Sequence, residues 1–309
     1  MIYDVIIIGA GPAGMSAGIY LCRKKLSALI LSEDVGGQMA RSWDIENFIG
    51  YHLISGADLT EKFKEHLASY DCLTLKSGQK IQNIKKQKKT FIVQNSNKEN
   101  FEAKTIIIAT GKNPKILGAV NEDKFRGRGL TYCATCDAPL FNNKKVAVIG
   151  DGNAALGATY QLTKIASKIY LMIAGPKFRN DLDKILKENT LSSDRVEVIY
   201  NSQVIKINGD KVVAGLEYRD IKTKKVEKLE LQGIFVEIGS VPAVSFAQSL
   251  VKLNKSGEII IDKANMTSMA GIFAAGDVSD VVEKQVIIAA GEGAKAAISV
   301  AKYLSSHKL

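Results

Sequence analysis

The 309-residue sequence holds only three histidines and four cysteines, and no long polar or low-complexity stretch interrupts it. The unbroken succession of apolar segments excludes a disordered chain. His52, His66 and His307 show no ligand spacing to any cysteine, and a single C-x-x-C pair is half a zinc site at most. No helix-turn-helix, zinc-finger or RNA-binding signature occurs, so nucleic acid is not an expected partner. Residues 5–22 carry no formal charge, yet four glycines and Pro12 break them and Asp4 precedes them. They read as strand, turn and helix rather than as a membrane span or export signal. The expected location is therefore cytoplasmic, where four cysteines are not expected to form a disulfide framework.

What is present is the composition of a folded protein, 46% hydrophobic and 24% charged. The length exceeds one ordinary core and suits two domains. Lysine and arginine total 42 against 32 acidic residues, a formal charge of +10. Much of the excess reads as lysine in loops, as at Lys85, Lys86, Lys88 and Lys89. A surface of this sign is either a plain solvated face or one that attracts nucleic acid, an anionic membrane or an acidic protein, and without nucleic-acid motifs an acidic protein stays among the expected partners.

The stretch from Val5 to Gly14 (VIIIGAGPAG) recurs from Val146 to Ala155 (VAVIGDGNAA). Each copy is an apolar strand, a glycine turn and the start of a helix. Each leads to a second β-rich run, Ala28–Leu31 and Ile169–Ile173. Two βαβ units of this kind predict an α/β protein with two Rossmann-like, three-layer dinucleotide-binding domains. Lys104 to Gly111 reads as a buried strand ending in a glycine turn, and Gly271 to Asp277 as another with an acidic turn. A helix from about Gln285 to Leu304 closes the chain. The simplest topology inserts residues 113–242 into a first domain made of 1–112 and 243–309.

Gly9, Gly11 and Gly14 fit G-x-G-x-x-G after a strand and before a helix. Gly9 permits the tight turn, Gly11 lets a pyrophosphate approach the backbone, and Gly14 allows close helix packing. The helix N-terminus, with Pro12 and Ala13 in its first turn, offers N–H groups and a positive dipole end to phosphates. Glu33 lies near the end of the next strand, where a carboxylate accepts from a ribose hydroxyl. With the Ala109-Thr110-Gly111 and Gly276-Asp277 turns, these features look like an FAD site.

Cys133 and Cys136 form the catalytic candidate. C-x-x-C spacing closes a small disulfide ring and lowers the pKa of one thiol. The thiolate is the nucleophile in disulfide exchange, and a neighbouring acid must protonate the leaving sulfur. Asp137 is placed to be that acid. Cys22 and Cys72 lie in apolar stretches and read as packed thiols.

The FAD loop, the inserted domain with CATCD at 133–137, and Gly276-Asp277 followed by Gln285-Val286 resemble low-molecular-weight thioredoxin reductases over essentially the whole chain. Gly36-Gly37-Gln38 and Glu46-Asn47 match FAD-contacting stretches of that family. The resemblance implies further FAD contacts at Ser32, Ile81, Val278 and Lys284, a homodimer, and a domain rotation presenting the dithiol alternately to flavin and thioredoxin. It also implies that Cys136 faces the flavin and Cys133 attacks thioredoxin.

The sequence departs from that family where the inserted domain would bind NADPH. Asp151 places a negative charge in the second glycine loop. Ala174 and Gly175 stand where two arginines would grip the 2′-phosphate, and only Arg179 survives. Each lost charged hydrogen bond costs about 1.5–3 kcal/mol, so two weaken NADPH by roughly a hundred- to ten-thousand-fold. NADH needs an acidic residue near the end of that strand, and none occurs between Ile165 and Asn180. A pocket too small for adenosine is expected if the site is lost; an open pocket beside Arg179 counts against the loss.

In this respect the chain resembles the ferredoxin-dependent flavin thioredoxin reductases of anaerobic bacteria. A ferredoxin near about −400 mV has ample drive for a thioredoxin couple near about −270 mV, a gap worth roughly 6 kcal/mol for two electrons. Ferredoxins are acidic, which gives the charge of +10 a partner and a steering role. The expected route is ferredoxin, FAD, the Cys133–Cys136 disulfide, then thioredoxin. The rival readings are an NAD(P)H-linked reductase with a diverged nicotinamide site, another donor such as a reduced deazaflavin, and a flavin redox sensor that does not turn over. A ferredoxin–NADP reductase has no use for the cysteine pair.

Overall fold

A computed structural model describes residues 2–42, 44–180 and 182–307. The chain forms two compact units: residues up to 42, 46–113 and from 241 onward make the first, and 114–240 with the short 44–45 segment the second.

The first unit is built on a seven-stranded sheet. Its order is Leu73–Lys76, Ala28–Val35, Ile2–Ala10, Asn100–Ile108, Phe91–Asn95 and Ile81–Lys86, with Ile272–Ala274 also paired to Asn100–Ile108. Ile6 lies opposite Leu29 and Ile106, and Ile106 opposite Ile272, all parallel. Such strands are buried on both faces and read as continuous apolar runs. Ile6 and Ile8 face a cluster with Ile84, Phe91 and Val93. Ile7 and Ile30 face the helix Pro12–Arg23: a Cβ on Gly14 would stand 3.3 Å from Ile7 Cγ2, and one on Gly18 3.2 Å from Ile30 Cδ1. The closing helix, Val286–His307, packs on that same helix. A Cβ on its Gly293 would lie 1.9 Å from the Ala13 carbonyl oxygen, so the two backbones touch there.

Two expectations are corrected in this unit. Lys85 and Lys86 are not loop lysines; they end the strand Ile81–Lys86, whose Ile81 and Ile84 are buried while they face water. Lys88 and Lys89 do lie between that strand and the next. Cys22 and Cys72 are not separate packed thiols but a disulfide, with Cα atoms 5.7 Å apart. Cys22 sits in the last turn of its helix and Cys72 directly before Leu73–Lys76. The pairing of that strand with Ala28–Val35 carries Cys72 back to the helix end, its carbonyl accepting from the Ala28 amide.

The second unit has five parallel strands in the order Leu130–Thr131, Gly233–Val236, Lys145–Ile149, Lys168–Met172 and Val196–Ile199. Period-two alternation sorts their side chains. Val146, Val148 and Phe235 pack with Leu156 and Leu162 of the helix Asn153–Thr163. Ala147, Ile149, Ile234 and Val236 pack with Val204, Ile207, Val213 and Leu216 of an antiparallel three-stranded sheet, Ser202–Gly209, Val213–Asp220 and Val226–Glu230. Helix, parallel sheet and antiparallel sheet are the three layers expected, and the α/β class with Rossmann-like sheets is borne out. Among the described residues, no helix is long and apolar enough to cross a membrane.

Candidate active site

In the first glycine turn, Gly9 has φ of +108°, and a Cβ there would meet the Ala109 carbonyl oxygen at 2.4 Å. Gly14 is equally constrained, its Cβ position lying 1.9 Å from the Gly9 carbonyl oxygen. Gly11 differs. Its backbone is extended (φ −79°, ψ −173°), it caps the helix without a side-chain hydrogen bond, and nothing described lies within 4 Å of where its Cβ would be. The turn thus presents open space in front of the first-turn amides beyond Pro12, a cradle shaped for a phosphate.

Ser32, Gly36, Gly37 and Gly276 lie against the same turn, and other predicted residues make contacts of their own. Gly37 has φ of +56°, and its Cβ position is 3.7 Å from the Gly11 Cα. The Gly36 amide donates to the Ala10 carbonyl, and the Ala10 amide to buried Ser32 Oγ at 2.9 Å. Gly276 (φ +74°) would bring a Cβ to 3.0 Å from that of Ala13. Thr110 Oγ1 donates to the Ala243 carbonyl at 2.6 Å, and Gly111 accepts from the Ala243 amide. Gln38 Nε2 donates to the Lys112 carbonyl at 2.7 Å, and Asn47 Nδ2 to Gln285 Oε1 at 3.1 Å. Glu33 is exposed at its strand end. The side chains of Ile81 and Val278 belong to the apolar cluster beneath the sheet. Val286 opens the last helix.

A charge cluster lies beside Asp277 and joins the expected Lys284 to Glu258 and Lys112, which no sequence motif marks. Glu258 binds Lys112 Nζ at 2.5 Å and Lys284 Nζ at 3.2 Å. Despite burial, these bonds, with one from Asn254, hold its carboxyl down at about 2. Lys284 also donates to the Ser279 carbonyl at 2.6 Å. Burial pushes the Asp277 carboxyl above the usual range, against the pull of Lys284 and Lys112. No local signal joins Glu258 to Lys112, 146 residues away.

In the second unit, Cys133 and Cys136 are joined as a disulfide with Cα atoms 5.4 Å apart. Cys133 caps the short helix Ala134–Asp137, its sulfur accepting from the Cys136 amide at 3.2 Å. The turn is tied to the sheet at two further points. Thr131 Oγ1 accepts from the Cys133 amide at 3.1 Å and donates a short hydrogen bond to Asp137 Oδ2. Glu237 Oε1 accepts from the Ala134 amide at 3.2 Å. Neither Thr131 nor Glu237 stands out in the sequence. Thr131 lies two residues from Cys133, but Glu237 is 103 residues from Ala134.

The second glycine turn repeats the first in outline. A Cβ on Gly150 (φ +152°) would stand 2.4 Å from the Glu237 carbonyl oxygen, and Gly152 caps the helix Asn153–Thr163 without a side-chain hydrogen bond. Arg179 Nη1 lies 3.8 Å from the Cβ position of Gly152. Ala174 is exposed and Gly175 half-buried at the strand end. The surface beside Arg179 is not closed: a cleft of about 380 Å³ is lined by Lys177, Phe178, Arg179, Lys184, Lys187 and Tyr200, among others. An open surface beside Arg179 counts against complete loss of a nucleotide site, and Lys184 and Lys187, from the following helix, give it basic charge, although no residue of the glycine turn lines it.

Comparison with known proteins places this geometry. The family model for pyridine nucleotide-disulphide oxidoreductases matches residues 3–293. The chain is 39% identical over 302 residues to the F component of alkyl hydroperoxide reductase from Staphylococcus epidermidis, covering 98% of this chain but only 59% of that protein. It superimposes on thioredoxin reductase from Streptococcus pyogenes with a TM-score of 0.92 at 35% identity, over 99% of both chains. Thioredoxin reductase from Giardia duodenalis gives 0.89 at 30%, over 98% of this chain and 99% of that one. The family and these neighbours are FAD-binding flavoproteins, and the open cradle at Gly11 fits that cofactor's pyrophosphate. The chain belongs to the pyridine nucleotide-disulphide oxidoreductase family.

Proposed function

We propose that the chain is a flavin-dependent thioredoxin reductase, that Cys133 and Cys136 are its redox pair, and that reduced ferredoxin is its electron source. One observation carries the disulfide chemistry: the Cys133–Cys136 bond sits at a helix cap, tied to the sheet through Thr131 and Glu237. Residues 1–112 and 243–309 hold FAD through Gly9, Gly11, Gly14, Gly36, Gly37, Gly111, Gly276 and their neighbours, and 113–242 carry the dithiol. FAD supplies the electron pair that reduces the Cys133–Cys136 disulfide. The Cys133 thiolate then attacks one sulfur of the thioredoxin disulfide, forming a mixed disulfide and releasing the other sulfur as a thiolate. Asp137, held by Thr131, is the proton source for that leaving sulfur. Attack by Cys136 on Cys133 breaks the mixed disulfide, releases the reduced partner and re-forms the internal bond.

Ferredoxin as donor is supported by the missing anchors: Ala174 and Gly175 in place of a 2′-phosphate clamp, Asp151 in the glycine turn, and no acidic group at the strand end for NADH. The charge of +10 suits an acidic donor. A homodimer is part of the same reading; Ile49 and Val282, each 85% exposed, are apolar surface of the first unit that a second copy would cover. A specific observation favours the alternative, an NAD(P)H-linked reductase: the basic cleft beside Arg179.

Anaerobic bleaching of the flavin separates the two. The purified protein is mixed with NADPH, NADH or reduced ferredoxin in turn. Bleaching by ferredoxin alone, followed by thioredoxin reduction that Cys136→Ser abolishes, is the expected result. Rapid bleaching by either nicotinamide overturns the donor assignment and leaves the dithiol assignment standing. Bleaching with no thioredoxin turnover makes the chain a redox sensor instead.

A further inference from the structure

Glu237 follows the strand Gly233–Val236 and is fixed by its own amide, which donates to the Ile149 carbonyl at 2.8 Å. Its side chain is half-buried, and its Oε1 accepts from the amide of Ala134, the first residue of the turn that closes the Cys133–Cys136 ring. A glutamine would accept that amide equally well without the cost of burying an ionisable group. An acid kept here at that cost is the kind of group that controls a reactive site. Burial pushes its carboxyl up to about 7, against the opposite pull of the Ala134 amide. It therefore changes charge within the range in which activated thiols of C-x-x-C pairs ionise.

We propose that Glu237 is a positioning residue for the dithiol: its carboxylate anchors the turn through the Ala134 amide, and its negative charge holds back thiolate formation in the reduced pair. The proposal rests on the reading of Cys133 and Cys136 as the redox pair. Among the described residues, the ionisable groups on the segments around Glu237 are Tyr132, whose hydroxyl donates to Glu122, Cys133, Cys136 and Asp137 on the turn, Asp151 on the glycine loop, Arg179 beside Gly152, and Lys115, whose amide donates to the Gly239 carbonyl. Asp137 is anchored separately, by Thr131. Protonation of Glu237 removes a repulsion just as falling pH depletes thiolate, so the two effects oppose each other between about pH 6 and 8.

The test is site-resolved alkylation. Holoenzyme reduced with dithiothreitol is pulsed with iodoacetamide from pH 5 to 9, and modification at each cysteine is read by peptide mass spectrometry. Neither thioredoxin nor an electron donor is needed. For wild type, the more reactive of Cys133 and Cys136 should follow a shallow, two-step profile. Glu237→Gln should give a steeper single-ionisation curve, with alkylation at pH 7.5 faster by about threefold to tenfold. Superimposable curves for wild type and Glu237→Gln overturn the proposal. Should that variant not fold, a single-ionisation curve for wild type overturns it equally. Labelling of Cys133 and Cys136 that does not require prior reduction overturns the redox-pair reading and this proposal with it.

Discussion

Gly11 and Gly14 lie three residues apart in one loop, yet the structure assigns them opposite vulnerabilities. A Cβ on Gly14 would stand 1.9 Å from the Gly9 carbonyl oxygen, a backbone atom that cannot swing aside. Gly14→Ala must therefore push helix Pro12–Arg23 off its sheet, at a cost of about 3 kcal/mol or more in the apoprotein. Gly11 has φ of −79°, which any residue adopts, and open space where its Cβ would be. Gly11→Ala should leave apoprotein stability within about 0.5 kcal/mol of wild type. If the open space is where the pyrophosphate of FAD lies, the added methyl displaces a charged contact with the backbone worth about 1.5–3 kcal/mol. FAD affinity then falls roughly 10- to 150-fold. The assay pairs urea denaturation of flavin-stripped protein with fluorescence titration of FAD into it. Wild-type FAD affinity in Gly11→Ala, or a stable Gly14→Ala apoprotein, refutes the reasoning.

Four further outcomes are expected. Glu237 has a folded-state pKa above its ordinary 4.5, at about 7, so the wild-type fold loses stability as pH rises through that window. Glu237→Gln should match wild type at pH 4 and exceed it at pH 8 by about 2 kcal/mol, allowing for partial exposure, which thermal unfolding at the two pH values measures. Glu258 is the reverse case: held at about 2, its stabilisation persists above the ordinary carboxylate range and fades as pH falls toward 2, so Glu258→Gln should lower the unfolding temperature at pH 7 and lose that deficit at pH 2. Oxidised protein denatured without reductant should show no free thiol; two thiols mapped to Cys22 and Cys72 would remove that pairing. Placing arginine at both Ala174 and Gly175 should tighten NADPH binding by at least about tenfold, read by quenching of its fluorescence, since a Cβ at Gly175 approaches the Lys177 backbone no closer than 3.4 Å.

The first glycine turn was legible because its residues are local: a β-branched run, three glycines at fixed spacing and a helix with Pro12 at its start. The dithiol was legible for the same reason. What escaped was held together only by the fold. Glu237 reads as one acid at the end of the strand Gly233–Val236, and only parallel pairing of that strand with Leu130–Thr131 delivers it to Ala134. Cys22 and Cys72 are separated by 50 residues and meet through a strand pairing that the short, half-polar run Leu73–Lys76 scarcely announces. Lysines obscured the strand Ile81–Lys86, because two buried positions among three exposed ones and one half-buried one resemble a loop.

The second glycine turn is where sequence and structure pull apart, and the division has a chemical logic. Its glycine-turn half is intact in outline: Gly152 caps the eleven-residue helix Asn153–Thr163, Arg179 lies beside that cap, and Arg179 also lines the basic cleft. A helix N-terminus without a side-chain cap and a nearby guanidinium are features that suit a phosphate anion. The other half, which distinguishes NADPH from NADH through arginines or a carboxylate at the strand end, carries Ala174 and Gly175 instead. Asp151 further weakens the attraction by placing a carboxylate in the turn itself. A nicotinamide bound here would thus be held by its pyrophosphate alone, without selection at the ribose. Any reduction by nicotinamides should then be saturable only at high concentration, strongly weakened by salt, and similar for NADH and NADPH. A tight preference for one of them would mean that Lys177, Lys184 or Lys187 has taken over the role of the missing clamp, and the cleft rather than the strand end would be the recognition element.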